Sequence, residues 1–372
     1  MLKCLFVLGT RPEAIKLSPV ILHMKGRPAE FEVEVAVTAQ HRQMLDQVLS
    51  VFRIVPDYDL DLMTPGQTLP ALTARIISRL EGVLETAKPD IVFVQGDTTT
   101  TFCGALAAFY ARIPVGHVEA GLRTGDLAQP FPEEMNRVLT ARLAAIHFAA
   151  TESARRNLLA EQVAPQSIHV TGNSGIDAVL YVRDRLATGD LPDHDWDFLD
   201  PNRQLVVVTA HRRESFGSGL ESICGALKTI AQRPDVQIVW PVHRNPQVMA
   251  PAREHLGRLG HVHLIEPADY VPFVGLMRRA TLLLTDSGGI QEEGPSLGKP
   301  VIVMRDKTER PEAVEAGTVR LAGADEFRIV AEVTRLLDNP AAREAMSRVH
   351  NPYGDGHASG KIADAVLAFL GR

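Results

Sequence analysis

Acidic residues and a histidine follow directly after short apolar runs at several points in this sequence. Asp97 comes after IVFVQG, Glu119 after IPVGHV and His211 after LVVVTA. Glu133 lies in FPEEMNR, where a first helical turn is expected. Because burial and nearby cations can tune the pKa of a carboxylate at a strand end, Asp97, Glu119 and Glu133 are candidate acid–base groups.

Each of these candidates also has a structural interpretation. Asp97 begins DTTT ahead of an apolar helix, which is a good N-capping sequence. Glu133 would favour the dipole of its helix, whereas no helix directly follows Glu119. A lone histidine is usually structural, although the charged residues after His211 are unusual behind a buried strand. Both interpretations stay open at this stage.

The stretch GTRPEAIKLSP carries two cations, Arg11 and Lys16, after the first strand-like run. Pro12 suits a first helical turn because its missing N–H needs no partner there. Two cations at this position indicate an anionic ligand. A dinucleotide-binding turn would require G-x-G-x-x-G, whereas this turn has only Gly9.

A second candidate anion site lies in TDSGGIQEE. Its strand is expected to end at Thr285 and its helix to begin near Ile290. The turn between them supplies Ser287, Gly288 and Gly289. Glycines allow a close backbone approach, and the free N–H groups of a helix start bind phosphate.

Acidic and basic residues flank this turn. Glu292 and Glu293 are expected in the first helical turn, where they stabilise the helix dipole or accept hydrogen bonds from a ribose. Arg310 in TERPEAVEAGT stands beside Pro311 in a turn and is a second possible contact for a diphosphate.

Strand-like runs alternate with helical stretches, which predicts βαβ units and parallel sheets. The runs are KCLFVLG, VEVAVTA, DIVFVQGD, IPVGHVEAG, AIHFAAT, SIHVTGN, QLVVVTAH, VQIVWPVH, HVHLIEP, TLLLTDSGG and KPVIVMR. They are too many for one ordinary open sheet. We therefore expect an α/β protein with two Rossmann-like doubly wound domains facing a cleft. The expected domains are 1–170 and 171–350, with a C-terminal helix in 351–372 packing back on the first domain.

The composition excludes several classes of protein. Hydrophobic residues make up 45% and charged residues 23% of the 372 residues, and the net charge of -6 argues against bulk nucleic-acid binding. No apolar run approaches the length of a membrane span, and the N-terminus leads straight into a strand, so a cytoplasmic location without a signal peptide is expected. Cys4, Cys103 and Cys224 are expected to be buried thiols, and no Cys/His cluster has zinc spacing.

Taken together, the motifs closely resemble those of the bacterial non-hydrolysing UDP-N-acetylglucosamine 2-epimerases over essentially the whole chain. The resemblance rests on GTRPEAIK, TAQHRQMLDQ, GDTTTT, IPVGHVEAGLRTGD, PEEMNR, TGN, HRRESFG, TDSGGIQEE, PSLGKPV, TERPEAV and NPYGDG, in family order. It implies a glycosyltransferase-B-like fold with the active site between two Rossmann-like domains. It also implies an isomerase that interconverts UDP-N-acetylglucosamine and UDP-N-acetylmannosamine without NAD or a metal, supplying N-acetylmannosamine units for cell-surface polysaccharide.

The resemblance also implies roles for individual residues. The family is thought to eliminate UDP to give 2-acetamidoglucal and then to add it back with the proton on the other face of C2. By similarity, Asp97, Glu119 and Glu133 are the acid–base groups, and His211 is the leaving-group partner. The implied contacts of the nucleotide sugar are Arg11, Lys16, Phe273, Ser287, Gly288, Gly289, Glu293 and Arg310.

Family members are commonly homodimers, and several need their own substrate as an activator at a neighbouring site. Gln40, Gln43 and His243 are the candidates for such an effector site here. Four alternatives remain open: a hydrolysing epimerase, a glycosyltransferase of the same fold, an enzyme acting on a 2,3-diacetamido uronic acid sugar, and a non-catalytic nucleotide-sugar sensor.

Overall fold

The structure, a computed structural model, describes residues 1–38, 42–64 and 66–371. Within these ranges it describes all side chains except those of Arg42, Gln43 and Arg213. The chain divides into two compact units. Unit 1 comprises Met1–Ala178 together with Gly354–Arg372, and unit 2 comprises Val179–Tyr353. Each unit is built around one parallel sheet.

The sheet of unit 1 has seven parallel strands in the described ranges. They are β1 (Leu2–Leu8), β2 (Phe31–Val37), β3 (Tyr58–Asp59), β4 (Ile91–Gln95), β5 (Val115–Ala120), β6 (Ile146–Ala149) and β7 (Ile168–Val170). Their order is β3-β2-β1-β4-β5-β6-β7. The connecting helices are α1 (Arg11–Lys25), α2 (Arg42–Val51), α3 (Leu69–Ala87), α4 (Thr99–Tyr110), α5 (Glu133–Leu143), α6 (Glu152–Ala160) and α7 (Ser174–Thr188).

The sheet of unit 2 has six parallel strands. They are β8 (Gln204–Thr209), β9 (Val236–Pro241), β10 (Val262–Ile265), β11 (Leu282–Thr285), β12 (Val301–Val303) and β13 (Val319–Leu321), in the order β10-β9-β8-β11-β12-β13. The helices after β8 are α8 (Ser218–Ile230), α9 (Pro246–Leu256), α10 (Tyr270–Arg279), α11 (Gly288–Ser296), α12 (Pro311–Ala316), α13 (Glu326–Asp338), α14 (Pro340–Ser347) and α15 (Ala358–Phe369).

The strand order of each sheet has one topological switch point. In unit 1 it lies between β1 and β4, and in unit 2 between β8 and β11. Ligands of open α/β sheets bind in the crevice outside the carboxyl ends of the strands at such a point. The loops that follow these four strands are therefore the first places to look for function.

Apolar strands form the core because helices cover both faces of a parallel sheet. All residues of β4 are buried, and Phe6 of β1 stacks on Phe93 of β4 with ring centroids 4.6 Å apart. In unit 2 the largest fully buried side chain is Trp240 of β9. These rigid cores fix the positions of the loops at the strand ends.

The C-terminal helix α15 belongs to unit 1, although it follows unit 2 in the chain. Its start is held by Asp177 of α7, whose carboxylate accepts the amides of Ala358 and Ser359 at 3.3 and 2.8 Å. Sequence analysis placed the domain boundaries at 170 and 350, whereas the structure divides the chain inside α7 and after Tyr353.

All eleven expected strands are present in the described ranges, and the two-domain α/β expectation is confirmed. Two further strands, β3 and β13, escaped sequence analysis because two or three residues are too few to show a pattern. The cysteines are free and buried, and burial raises the pKa of each thiol to about 12. None of the described helices combines the length and apolar character of a membrane span.

One local expectation was wrong, and one open alternative is decided. Helix α11 begins at Gly288, not near Ile290, so Glu292 and Glu293 lie in its second turn, where the dipole interpretation loses its basis. The N-cap of α4 is Thr98, whose hydroxyl accepts the amide of Thr101, and not Asp97. The carboxylate of Asp97 therefore has another role.

Candidate active site

The turn between β1 and α1 contains the single glycine of GTRPEAIK. A Cβ atom at Gly9 would lie 2.2 Å from Oγ1 of Thr38 and 2.4 Å from Oγ1 of Thr100. Gly9 is therefore required for close packing within unit 1, at the point where a dinucleotide-binding turn would leave space for phosphate. Arg11 is the first residue of α1 and is half-buried.

Asp97 lies just beyond β4, at the switch point of unit 1. Its carboxylate is 3.1 Å from Nη1 of Arg137, and its carbonyl accepts Nδ2 of Asn136 at 2.9 Å. Burial raises the pKa of Asp97 to about 6, although the Arg137 guanidinium opposes this shift. A carboxyl group with this pKa can both take up and release a proton near neutral pH.

Arg137 is held in place by a second buried carboxylate, Glu134, which sequence analysis did not single out. Nε of Arg137 donates to Oε2 of Glu134 at 2.6 Å, while Oε1 of Glu134 accepts the amides of Thr124 and Gly125, each at 3.0 Å. Burial alone would raise the pKa of Glu134, but these donors hold it below its ordinary value. Glu134 is thus an ionised anchor for the cation that contacts Asp97.

Glu119 lies near the end of β5 in a strained backbone conformation. Its φ of 61° is unusual for a residue other than glycine, and the register between β5 and β6 skips it between Val118 and Ala120. Such irregularities re-aim a side chain at a sheet end. The Glu119 carboxylate forms an ion pair with Lys16 and accepts a hydrogen bond from the Gln95 amide.

Glu133 is the first residue of α5, as expected. Its Oε2 atom is buried and has no hydrogen-bond partner in the described part of the chain. Adjacent residues of one helix therefore differ: Glu134 has its partners within the protein, while one oxygen of Glu133 is left for a ligand or for water.

His117 holds the backbone that precedes Asp97. Its Nε2 atom lies 2.7 Å from the Gly96 carbonyl, and burial lowers its pKa to about 3. The ring is therefore neutral at ordinary pH and donates its Nε2–H. Gly96 itself has a φ of 72°, which suits glycine.

In unit 2 the switch point carries His211 and Asp286. Nδ1 of the exposed His211 lies 3.2 Å from Oδ1 of the fully buried Asp286. Oδ2 of Asp286 accepts the amides of His211 and Arg212 at 2.6 and 2.7 Å. Burial would raise the pKa of Asp286, but His211 and the amides hold it below its ordinary value. The ionised carboxylate of Asp286 therefore lies beside Nδ1 of the imidazole, and Nε2 is left for a ligand.

His243, the described member of the predicted effector site, lies next to His211. The two rings stack with centroids 5.9 Å apart and 17° between their planes. Nδ1 of His243 accepts the amide of Asn245 at 3.1 Å. Gln40 and the side chain of Gln43 lie outside the described residues, so the effector site stays a prediction.

The start of α11 forms the candidate diphosphate site. Ser287 is the N-cap, and Gly288 and Gly289 are the first two helical residues. A Cβ atom at Gly288 would lie 3.1 Å from the guanidinium carbon of Arg310, so glycine allows this cation to approach the helix start. Nε of Arg310 donates to Glu292 at 2.7 Å. Backbone amides and a guanidinium thus converge in unit 2.

The NPYGDG motif supports this helix, which sequence analysis did not foresee. Asn351 donates to the carbonyl of Glu292 at 2.7 Å and to Oγ of Ser296 at 2.6 Å. The hydroxyl of Tyr353 donates to Glu312 of α12 at 3.2 Å.

The two expected contacts not yet placed are in helices of the same unit: Phe273 is half-buried in α10, and Glu293 is half-buried in α11.

Two of the missed residue pairs had a sequence signal. Glu134 and Arg137 have the i, i+3 spacing of a helical ion pair. Thr10 and Glu13 have the T-x-x-E spacing of a capping box. The contacts of Asp286 and His117 join segments distant in the chain, so local spacing gave no indication of them.

The chain matches known proteins over nearly its full length. The family model described as UDP-N-acetylglucosamine 2-epimerase matches residues 23–367. The UDP-N-acetylglucosamine 2-epimerase of Escherichia coli K12 is 58% identical over 370 residues, which cover 98% of each chain. That of Salmonella typhimurium is 57% identical over 99% of each chain.

Solved structures agree with this match. The crystal structure of UDP-GlcNAc 2-epimerase from Neisseria meningitidis bound to UDP-GlcNAc has a TM-score of 0.89 at 49% identity, covering 98% of this chain and 100% of the other. A glycotransferase of kitacinnamycin, 14% identical with a TM-score of 0.66, shares the fold alone. The chain belongs to the UDP-N-acetylglucosamine 2-epimerase family.

Proposed function

We propose that this isomerase interconverts UDP-N-acetylglucosamine and UDP-N-acetylmannosamine by eliminating and re-adding UDP. The substrate is supported by the Neisseria relative, whose structure is bound to UDP-GlcNAc. The observation that carries the mechanism is Asp97: a carboxyl group at the switch point of unit 1, contacted by Arg137, with its pKa raised to about 6.

The C2 proton of the sugar is not adjacent to a carbonyl group, so an enolate is not accessible. In the elimination, a carboxylate takes the C2 proton, the C1–C2 double bond forms, and the electron pair of the C1–O bond leaves with UDP. The reverse addition returns UDP to C1 and delivers a proton to the other face of C2. Both steps are redox-neutral, so the proposal needs no hydride carrier such as NAD. That it includes no metal rests on the family resemblance.

Asp97, Glu119 and Glu133 supply the acid–base groups in this proposal, and which of them serves each face stays open. Their differing surroundings suit different tasks: Asp97 contacts a guanidinium, Glu119 pairs with Lys16, and Glu133 has an unpartnered buried oxygen. A reaction that removes a proton from one face of C2 and returns one to the other requires acid–base groups in unequal surroundings.

The leaving diphosphate is assigned to unit 2. The start of α11 offers Ser287, Gly288 and Gly289, and Arg310 adds a cation beside them. His211, fixed through Nδ1 by Asp286, acts on the leaving group through Nε2. Glu293 and Phe273 are assigned to the ribose and the uracil, and Arg11 and Lys16 to further contacts of the nucleotide sugar.

Some parts of the proposal rest on the family resemblance alone. The chain acts as a homodimer in the cytoplasm and supplies N-acetylmannosamine units for cell-surface polysaccharide. Its substrate also activates it at a neighbouring site that includes Gln40, Gln43 and His243. Light scattering of the purified chain tests the dimer, and a sigmoidal dependence of rate on substrate tests the activation.

The reaction itself is tested by proton NMR of the purified protein with UDP-N-acetylglucosamine in D₂O, without NAD. We expect UDP-N-acetylmannosamine with deuterium at C2, and traces of 2-acetamidoglucal and UDP on long incubation. Free N-acetylmannosamine accumulating with UDP would favour a hydrolysing epimerase. No conversion, with UDP binding measured separately, would favour a transferase, another sugar substrate or a sensor.

A further inference from the structure

The most completely buried carboxylate near the candidate acid–base groups is Glu13 of α1, which the mechanism above does not use. Its side chain is 0% exposed. Among the described residues no cation pairs with it, and burial raises its pKa. A buried carboxyl group without a cation is costly unless hydrogen bonds satisfy it.

Both oxygens of Glu13 are used. Oε2 accepts the amides of Gly9 and Thr10 at 3.0 and 2.7 Å, which fixes the turn between β1 and α1. Oε1 lies 2.8 Å from the hydroxyl of Thr98 and 3.2 Å from that of Thr101, at the start of α4. One side chain therefore ties together the loops after β1 and β4, on both sides of the switch point.

Each threonine leads to a candidate acid–base group. Thr98 directly follows Asp97 and caps α4. The Thr101 hydroxyl has one proton, which it shares between Oε1 of Glu13 at 3.2 Å and the nearer carbonyl of Gln95 at 2.5 Å. The side-chain amide of Gln95 in turn donates to Glu119. Two short paths thus run from Glu13, one to Asp97 and one to Glu119.

We propose that Glu13 is a positioning residue for the epimerase reaction, holding Asp97 through Thr98 and Glu119 through Thr101 and Gln95. This inference rests on the proposed function of those two carboxylates. Among the described residues, the Glu13 carboxylate hydrogen-bonds only to backbone amides and threonine hydroxyls, so it acts through other residues. A shift of about 1 Å in a reacting group can cost about 100-fold in rate, which is why a rigid tie between the two loops matters.

The test compares Glu13→Leu, which removes all four hydrogen bonds, with Glu13→Gln, which keeps an acceptor for the two amides. Val20→Ala is the matched control, because Val20 is equally buried in α1 but has no path to the carboxylates. We expect Glu13→Leu to lower kcat about 100-fold with unchanged affinity for UDP, and Glu13→Gln to restore most of that loss. Val20→Ala lowers the melting temperature but leaves kcat unchanged. Equal kcat in Glu13→Leu and Val20→Ala would overturn the proposal.

Two further measurements keep the test decisive. If Glu13→Leu does not fold, Thr101→Val cuts the path to Glu119 and also removes the contact between the hydroxyls of Thr101 and Thr98 at 3.0 Å. A fall in kcat of about tenfold supports the proposal, and an unchanged kcat overturns it. If the wild-type chain converts no substrate, the proposed function fails. The positioning role of Glu13 is then tested by a ¹³C titration of the Asp97 carboxyl group. Its pKa rises in Glu13→Leu or Thr98→Val if the tie to Arg137 loosens, and it stays as in Val20→Ala if Glu13 is merely structural.

Discussion

Both units place a buried carboxylate that accepts two consecutive backbone amides at the switch point of the sheet. Glu13 accepts those of Gly9 and Thr10, and Asp286 accepts those of His211 and Arg212. The use of the remaining oxygen differs. Asp286 directly contacts a candidate functional side chain, His211, whereas Glu13 contacts threonine hydroxyls that lead to Asp97 and Glu119.

This difference matches the different chemistry assigned to the two units. In unit 2 the imidazole of His211 lies directly beside an ionised carboxylate, which orients the ring. In unit 1 a second carboxylate in direct contact with Asp97 or Glu119 would place a like charge beside a proton-transfer group. Glu13 reaches these carboxylates through neutral hydroxyls and an amide, whereas their direct charged contacts are the cations Arg137 and Lys16.

The largest expected effect comes from Asp97→Asn, which tests the proton-transfer role assigned to unit 1. Because asparagine neither takes nor gives a proton, we expect kcat to fall about 10³-fold, within the range of general acid–base catalysis. The affinity for UDP, assigned to unit 2, should survive in calorimetry. Asp90→Asn, just before the same strand, is the matched control, since Asp90 is exposed and accepts the amide of Lys3 rather than a group of the site. Full activity of Asp97→Asn would refute the assignment.

Asp286→Asn is expected to have the next largest effect and tests the direct contact in unit 2. The asparagine side chain can still accept the two backbone amides, but it no longer places a negative charge beside Nδ1 of His211. We expect kcat to fall about 10²-fold, because positioning a proton-transfer group contributes on this scale. Asp325→Asn is the control, since Asp325 only caps α13. A variant with the wild-type kcat and pH profile would show that Asp286 merely supports the loop.

A smaller effect is expected for Arg310→Ala, which tests the anion site of unit 2. Loss of one charge-assisted hydrogen bond should weaken UDP binding by about tenfold to a hundredfold in calorimetry. Proton exchange at C2, measured at saturating substrate, should change less. Arg320→Ala is the control, because Arg320 is half exposed on β13 and 3.5 Å from Glu332. Equal UDP affinity in the two variants would remove Arg310 from the site.

The smallest effect concerns stability and pH. Burial raises the pKa of Asp97 to about 6 from its ordinary value of 3.8, so the folded chain binds this proton more tightly than the unfolded chain. This group therefore lowers stability as pH rises from about 4 to about 6. Asp97→Asn should melt a few degrees above the wild type at pH 7.5, by about 2–4 °C for a chain of this size. At pH 4 the difference should vanish, and a difference that is constant with pH would contradict the raised pKa.

The sequence was sufficient for the two sheets and for most strand-end residues, because buried parallel strands are continuous apolar runs and their carboxyl ends carry the polar residues. It misplaced the start of α11 and left open whether Asp97 caps α4. Both have one cause: several small polar residues in a row can each occupy the cap, and only the backbone conformation decides which does. The contacts of Arg137, Glu134 and Asp286 were not predicted, because the type of a carboxylate or imidazole does not reveal what faces it.

By itself, the sequence determined the family, the α/β class and the chemical types of the candidate residues, since these follow from local pattern and motif order. Only the tertiary structure decided the surroundings of each group. Asp97 has a raised pKa because burial between β4 and α5 disfavours its charged form even beside Arg137. Glu13 joins two loops because β1 and β4 are neighbours in the sheet, although 82 residues lie between Leu8 and Ile91 in the chain. Such contacts depend on the strand order, which local sequence does not encode.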